Sequence, residues 1–180
     1  MNRLIKIDKT SDILPAYRQT PIALLLEYHN LNKPFDDYND AQLLVGMCMD
    51  NRNHLNIPDN FSFIIRSGGA NLKYSEFKVS YAISIGGIKH IALIGHNNCG
   101  MSNLKARKDE FIKGMINNAG WSKQKATSHF VKYEVKFEIG NEIDFILSET
   151  KRLRLKYPKI CIAPMLYKVE DRRLYLINEN

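Results

Sequence analysis

The stretch Gln42-Leu43-Leu44-Val45-Gly46-Met47-Cys48-Met49 is almost wholly apolar and gives way at once to the polar run Asp50-Asn51-Arg52-Asn53. A run this short and uniformly apolar reads as a strand buried on both faces, the pattern of a parallel sheet covered by helices. Two similar runs follow, 61–65 and 90–95, and the second leads directly into His96-Asn97-Asn98-Cys99-Gly100. Residues 159–167 and 174–177 read as the last strands, joined by a turn at 170–173. The spacing predicts helices over 21–31, 74–85, 101–117, 124–136 and 140–157. Gly86-Gly87 stops the second, and Pro158 closes the last. Strands alternating with helices imply an α/β fold with a mainly parallel sheet. The expected architecture has four parallel strands flanked by helices. The short Asp171-Arg172 turn makes the final strand an antiparallel edge. No linker divides the chain, so residues 1–180 are expected to form one domain. Residues 1–40 would be its N-terminal helical arm, and 41–180 its α/β core.

A chain of 180 residues that is 44% hydrophobic and 25% charged suits an ordinary globular domain. No apolar run approaches the roughly 20 residues that span a bilayer, and the N-terminal residues lack the pattern of a signal peptide. The reading is therefore a cytoplasmic protein with no membrane partner. The formal net charge is +7, but the basic residues between Lys105 and Lys136 are scattered as on solvated helix faces. The denser run 151–156 suits a helix C-terminus, where cations complement the dipole. No nucleic-acid partner is expected; a nucleic-acid module would show salt-sensitive binding with no need for a metal. Three cysteines, at 48, 99 and 161, are too few for a disulfide framework.

Sites in open α/β sheets gather beyond the carboxyl ends of the strands. Two such ends carry chemistry: Cys48-Met49-Asp50-Asn51-Arg52 and His96-Asn97-Asn98-Cys99. If their strands are neighbours, Cys48, His96 and Cys99 converge. Two thiolates and an imidazole suit zinc, with a fourth position left for water. Taken singly, a cysteine ending an apolar strand is a small buried residue and a histidine there caps a turn; the joint placement favours a metal site. Cys161, in a late apolar strand, stands apart. Asp50 and Arg52, one residue apart, can pair through two hydrogen bonds that hold the carboxylate ionised beside the metal.

These residues resemble the β-class carbonic anhydrases, in particular the compact members of prokaryotes. The similarity rests on Cys-x-Asp-x-Arg at Cys48, Asp50 and Arg52, and on His-x-x-Cys-Gly at His96, Cys99 and Gly100. The segment Ile65-Arg66-Ser67-Gly68-Gly69-Ala70-Asn71 between them is similar to the family's Ile-Arg-Asn-Ala-Gly-Asn, with one residue more. The resemblance covers roughly residues 40–105. It implies zinc on Cys48, His96 and Cys99, with Asp50 and Arg52 as the catalytic dyad and Ser67, Gly68, Gly69 and Gly100 at the substrate pocket. It implies reversible hydration of carbon dioxide to bicarbonate by a metal-generated hydroxide, in a homodimer or a multiple of dimers. Relatives that hydrolyse carbonyl sulfide or carbon disulfide share the same scaffold. A non-catalytic zinc protein, with Asp50 closing the fourth position, is a further reading. His29, His54, His90 and His129 offer no assigned proton shuttle.

Overall fold

The apolar runs lie side by side. In a computed structural model that describes residues 3–179, β2 (Leu43–Cys48) runs parallel to β3 (Ser62–Ser67) on one side and to β4 (His90–His96) on the other. Met1, Asn2 and Asn180, the ends of the expected 1–180 unit, lie outside the described residues. β5 (Cys161–Lys168) continues the parallel set beside β4, and β6 (Arg173–Ile177) returns antiparallel to β5. These are the four parallel strands and the antiparallel strand predicted from sequence. A sixth strand, β1 (Leu4–Lys6), pairs antiparallel with β6 and completes the order β1-β6-β5-β4-β2-β3. β6 is thus flanked on both sides and β1 takes the edge. Three residues are too few to show an alternating pattern, so β1 is set by its partner and not by its own sequence.

Five helices flank the sheet: α1 (Pro21–Leu31), α2 (Glu76–Ser84), α3 (Lys108–Ala119), α4 (Lys123–Phe137) and α5 (Glu142–Lys156). α3 starts later than its predicted 101. Residues 105–107 form a 3-10 turn, and ahead of it the Met101 carbonyl accepts from Ile139 N while Leu104 N donates to the Glu138 carboxylate at 2.6 Å. Those bonds tie the segment to the chain following α4 in place of a helical ladder.

Strand side chains alternate between the two faces of the sheet. Leu43, Val45 and Met47 of β2 join Ala92, Ile94 and Met165 in a core under α1. Leu44, Ile91, Leu93 and Ile162 face the other way and pack with Val79 of α2 and with Ile146 and Leu153 of α5. The close approach of α5 needs Gly95, where a Cβ would lie 2.7 Å from the Ile146 side chain. Among the described residues, no helix is long and apolar enough to cross a membrane.

The region expected as a helical arm is bound to this chain's own sheet. Thr20 caps α1 by accepting from Ile22 N, Pro21 takes the first turn, and Asn32 ends the helix in a left-handed conformation. Ile22, Leu25 and Leu26 are fully buried. Asn30 acts as a pseudo-strand: its Nδ2 donates to Leu174 O at 2.7 Å, and its Oδ1 accepts from Leu174 N at 3.0 Å. That bond pair satisfies β6 at Leu174, just past the residues that β1 reaches. Asn30→Ala strands both backbone groups in the interior, so urea unfolding should show a loss of about 2–4 kcal/mol.

Candidate metal centre

The β2–β4 register sets the site. Met47 lies opposite Ile94, so the two strands deliver Cys48 and His96 at nearly the same level. The turn after β4 then carries Cys99 back toward Cys48, with Asn98 left-handed at φ 54°. The Cys48 and Cys99 Sγ atoms lie 4.0 Å apart, and the candidate ligand atoms of Cys48, His96 and Cys99 all lie within 4.8 Å of one another. Two sulfurs on a tetrahedral zinc, each at about 2.3 Å, would be separated by roughly 3.8 Å. All three residues are buried.

His96 supplies the sharpest test of whether a cation fits. Its Nδ1 lies 2.9 Å from the Asn97 carbonyl, which can only accept, so Nδ1 carries the proton. The Nε2 lone pair is then bare. Nε2 is shielded from water and has no hydrogen-bond partner. A buried acceptor left unpaired costs about 1–3 kcal/mol; a metal ion between Nε2 and the two sulfurs removes that cost. A carbonyl on the remote imidazole nitrogen is also how metal-bound histidines are commonly oriented.

The surroundings favour a thiolate at Cys48. Gly69 N donates to Cys48 Sγ at 3.3 Å. Gly69 is left-handed at φ 62°, and a Cβ there would sit 2.7 Å from the Ile139 side chain, so glycine lets this N–H approach the sulfur. In the metal-free pair the Cys99 thiol donates to Cys48, which outweighs burial and, with help from His96, pulls the Cys48 thiol down to about 4. The Cys99 thiol moves up, because its proton is held by Cys48 and because it is buried. The two sulfurs share one proton and titrate as a pair. Burial opposes a charge on His96, but the nearby Cys48 thiolate raises the imidazole overall.

Asp50 is held by Arg52 through three contacts: Arg52 N and Nε reach Oδ1, each at 2.9 Å, and Nη2 reaches Oδ2 at 2.7 Å. Arg52 Nη2 is fixed in turn by the Asn98 carbonyl at 3.0 Å. The arginine holds the Asp50 carboxyl well below the usual carboxylate range. Asp50 Oδ2 stands 3.9 Å from His96 Nε2, at the margin of the cluster.

No protein-family model matches the chain, and no curated protein sequence does so significantly. Solved structures do. A carbonic anhydrase from Glaciozyma antarctica matches with TM-score 0.60 at 19% identity, over 91% of this chain and 95% of that one. A β-carbonic anhydrase from Trichomonas vaginalis matches with TM-score 0.60 at 18% identity, over 83% and 91%. The apo form of a carbon disulfide hydrolase matches with TM-score 0.56 at 23% identity, over 79% and 81%. The fold is that of the β-carbonic anhydrases. At these identities the likeness is one of architecture, and the β-carbonic anhydrase fold here carries a buried Cys-His-Cys cluster able to hold a metal ion.

The sequence-predicted residues fall in three groups. Cys48, His96 and Cys99 converge, and Asp50 and Arg52 pair beside them. Ser67 lies opposite Cys48 in the β2–β3 register, and Gly69 touches its sulfur. Gly68 borders an apolar cavity of about 430 Å³ beside the cluster, whereas Gly100 lines a neighbouring cleft. His29 has both nitrogens engaged, with Asn56 N and the Arg172 carbonyl, and His90 sits at the opposite end of β4 from His96. Three supporting residues escape the sequence reading. Arg66 clamps the Cys48 and Asn53 carbonyls at 3.1 and 2.9 Å, Glu142 accepts from Cys99 N at 3.2 Å, and Glu149 accepts from Leu72 N at 3.2 Å. Arg66 was visible as a charge in an apolar strand; the two glutamates carry no signal until α5 is docked.

The thiol pair gives a direct test. In metal-stripped protein at about pH 6, one thiolate should persist in ultraviolet absorbance. It should disappear as pH falls through about 4. Cys48→Ser should abolish it, and Cys161→Ser should leave it, because burial moves the Cys161 thiol upward.

Proposed function

We propose that the protein is a zinc enzyme that reversibly hydrates carbon dioxide to bicarbonate, as one domain acting in a reducing, cytoplasmic compartment. The observation that carries this reading is the bare, buried His96 Nε2 aimed between two cysteine sulfurs, with an arginine-locked carboxylate alongside. Zinc on Cys48, His96 and Cys99, when bound, would supply a hydroxide nucleophile near neutral pH by acidifying water. The protein's own groups do the rest. Asp50, kept ionised by Arg52, can only accept; its Oδ2 would accept a hydrogen bond from the nucleophile's O–H, which stays on that oxygen, and so leave the lone pair facing carbon. Arg52 keeps Asp50 from swinging to the metal, which argues against the non-catalytic, closed reading. The apolar Met49 and Gly68 at the rim suit an uncharged linear substrate. The likeness to the carbon disulfide hydrolase supports a second reading, hydrolysis of carbon disulfide or carbonyl sulfide at the same residues.

Purified protein should hold about one zinc per chain. Cys48→Ser, His96→Ala and Cys99→Ser should each lose most of it. Asp50→Asn should keep the zinc and lose roughly 100-fold in kcat for carbon dioxide hydration, because an amide can present a donor and misdirect the nucleophile. Arg52→Ala should also keep the metal and lose kcat. Zinc-replete wild-type protein inactive toward carbon dioxide in stopped flow would sink the assignment; turnover of carbonyl sulfide in the same samples would establish the second reading.

The active unit is proposed to be a homodimer or a multiple of dimers. Among the described residues β3 has one unpaired side, and Phe63 and Ile64 on it are 40% and 46% exposed. Phe77, Tyr81 and Ile85 of the α2 region are also exposed. An open apolar edge is a liability for an isolated subunit. Light scattering at micromolar concentration should report twice the chain mass or a multiple, and Ile64→Lys should shift it toward monomer.

A further inference from the structure

The 430 Å³ cavity beside the metal cluster is far larger than a three-atom substrate requires and falls in the range that holds organic ligands. Its position is fixed by the chain. Met49 follows Cys48, Gly68 precedes the glycine that bonds Cys48, and Met101 lies two residues beyond Cys99; all three line it. The opposite wall is α4, whose end is tied to this rim by the bond from Ile139 N to Met101 O. From there the lining runs backward along the helix through Phe137, Tyr133, Phe130 and His129. Eight residues of helix span about 12 Å. The cavity is therefore elongated, with one end at the metal rim and the other beneath α3.

The chemistry of the walls is almost wholly apolar. Phe111 of α3 stacks flat on His129, with centroids 6.2 Å apart and planes at 3°, and tilts against Phe130. The one carboxylate in the lining, Glu134, has its Oε1 shielded from water, with Lys105 Nζ 4.0 Å away. An anionic ligand tail would find no lysine or arginine in this lining, whereas an uncharged hydrocarbon tail would meet aromatic and thioether surface along its length.

We infer that this cavity is a binding site for an uncharged organic molecule with a hydrocarbon or aryl tail, whose head lies at the Cys48–His96–Cys99 end. This rests on the metal-site reading only for the role of the head: a substrate or inhibitor larger than carbon dioxide. The tail site stands on the cavity itself.

Trp121 provides the readout. It is the chain's single tryptophan, and its ring meets His129 edge-on with centroids 5.1 Å apart. Zinc-loaded protein is titrated with straight-chain alcohols from butanol to octanol while Trp121 fluorescence is followed. Affinity should rise about fourfold per methylene and level off once the tail fills the roughly 12 Å length. Leu104→Phe, which narrows the cavity, should weaken octanol roughly tenfold and move the plateau to shorter chains. Val135→Phe, on the exposed outer side of α4, should change neither. Bound octanol should raise KM for carbon dioxide and leave kcat unchanged. Affinity independent of chain length, or octanol binding unaltered by Leu104→Phe, would overturn the tail site. An unchanged KM with octanol bound would overturn its link to the metal end. Chain-length-dependent binding in protein that lacks zinc or hydration activity would leave the cavity standing and remove only the metal-site reading.

Discussion

The parallel pairing of β2 with β4 is the constraint on which the site depends. Cys48 and His96 are 48 residues apart in sequence and meet because Met47 and Ile94 share a register position. A slip of one residue would turn each side chain to the opposite face of the sheet, out of the core whose shape it fills, so close packing on the two faces holds the register. The same apolar side chains that form the two cores therefore hold the candidate ligand atoms level. The thiol–imidazole cluster, costly to bury empty, is assembled by burial made elsewhere.

Around that pairing, each supporting contact restricts one atom. The Asn97 carbonyl chooses the His96 tautomer; Gly69 N and the Arg66 clamp fix the Cys48 sulfur and carbonyl; Glu142 holds the Cys99 backbone. Glu149, itself buried and paired with Arg152, anchors Leu72 and so the loop that carries Gly69. The chain of contacts runs from α5 through the loop after β3 to the thiolate. α5 can lie that close to β4 because Gly95 leaves room for Ile146. A cluster of candidate metal ligands needs such support, since the ligand atoms must be held within about half an ångström of their working positions.

The helical hairpin of α3 and α4 gives the site a character of its own. It lays Phe111, Phe130 and Phe137 along the apolar cavity that Met49, Gly68 and Met101 border at the cluster's margin. The dyad at Asp50 and Arg52 lies on the polar side, partly open to solvent. The cluster thus lies between an apolar cavity and a charged, hydrogen-bonded margin.

Much of this was legible in the sequence. Short apolar runs predicted the parallel strands, because a strand buried on both faces has no room for polar residues. The spacings Cys48-x-Asp50-x-Arg52 and His96-x-x-Cys99 marked the candidate ligands and their dyad, because both sit where an apolar run ends and solvent-facing chemistry begins. Other features had no local signal. β1 is a strand only because β6 offers it an edge. The start of α3 moved to Lys108 because residues near 101–104 bond to the segment after α4. Glu142 and Glu149 joined the site through the docking of α5, and the aromatic cavity formed through the folding of α4 back toward Met101 beside the cluster. Sequence alone determines what the backbone repeats and local motifs can express. Contacts between residues far apart in the chain depend on how whole elements pack, and only the tertiary structure decided those.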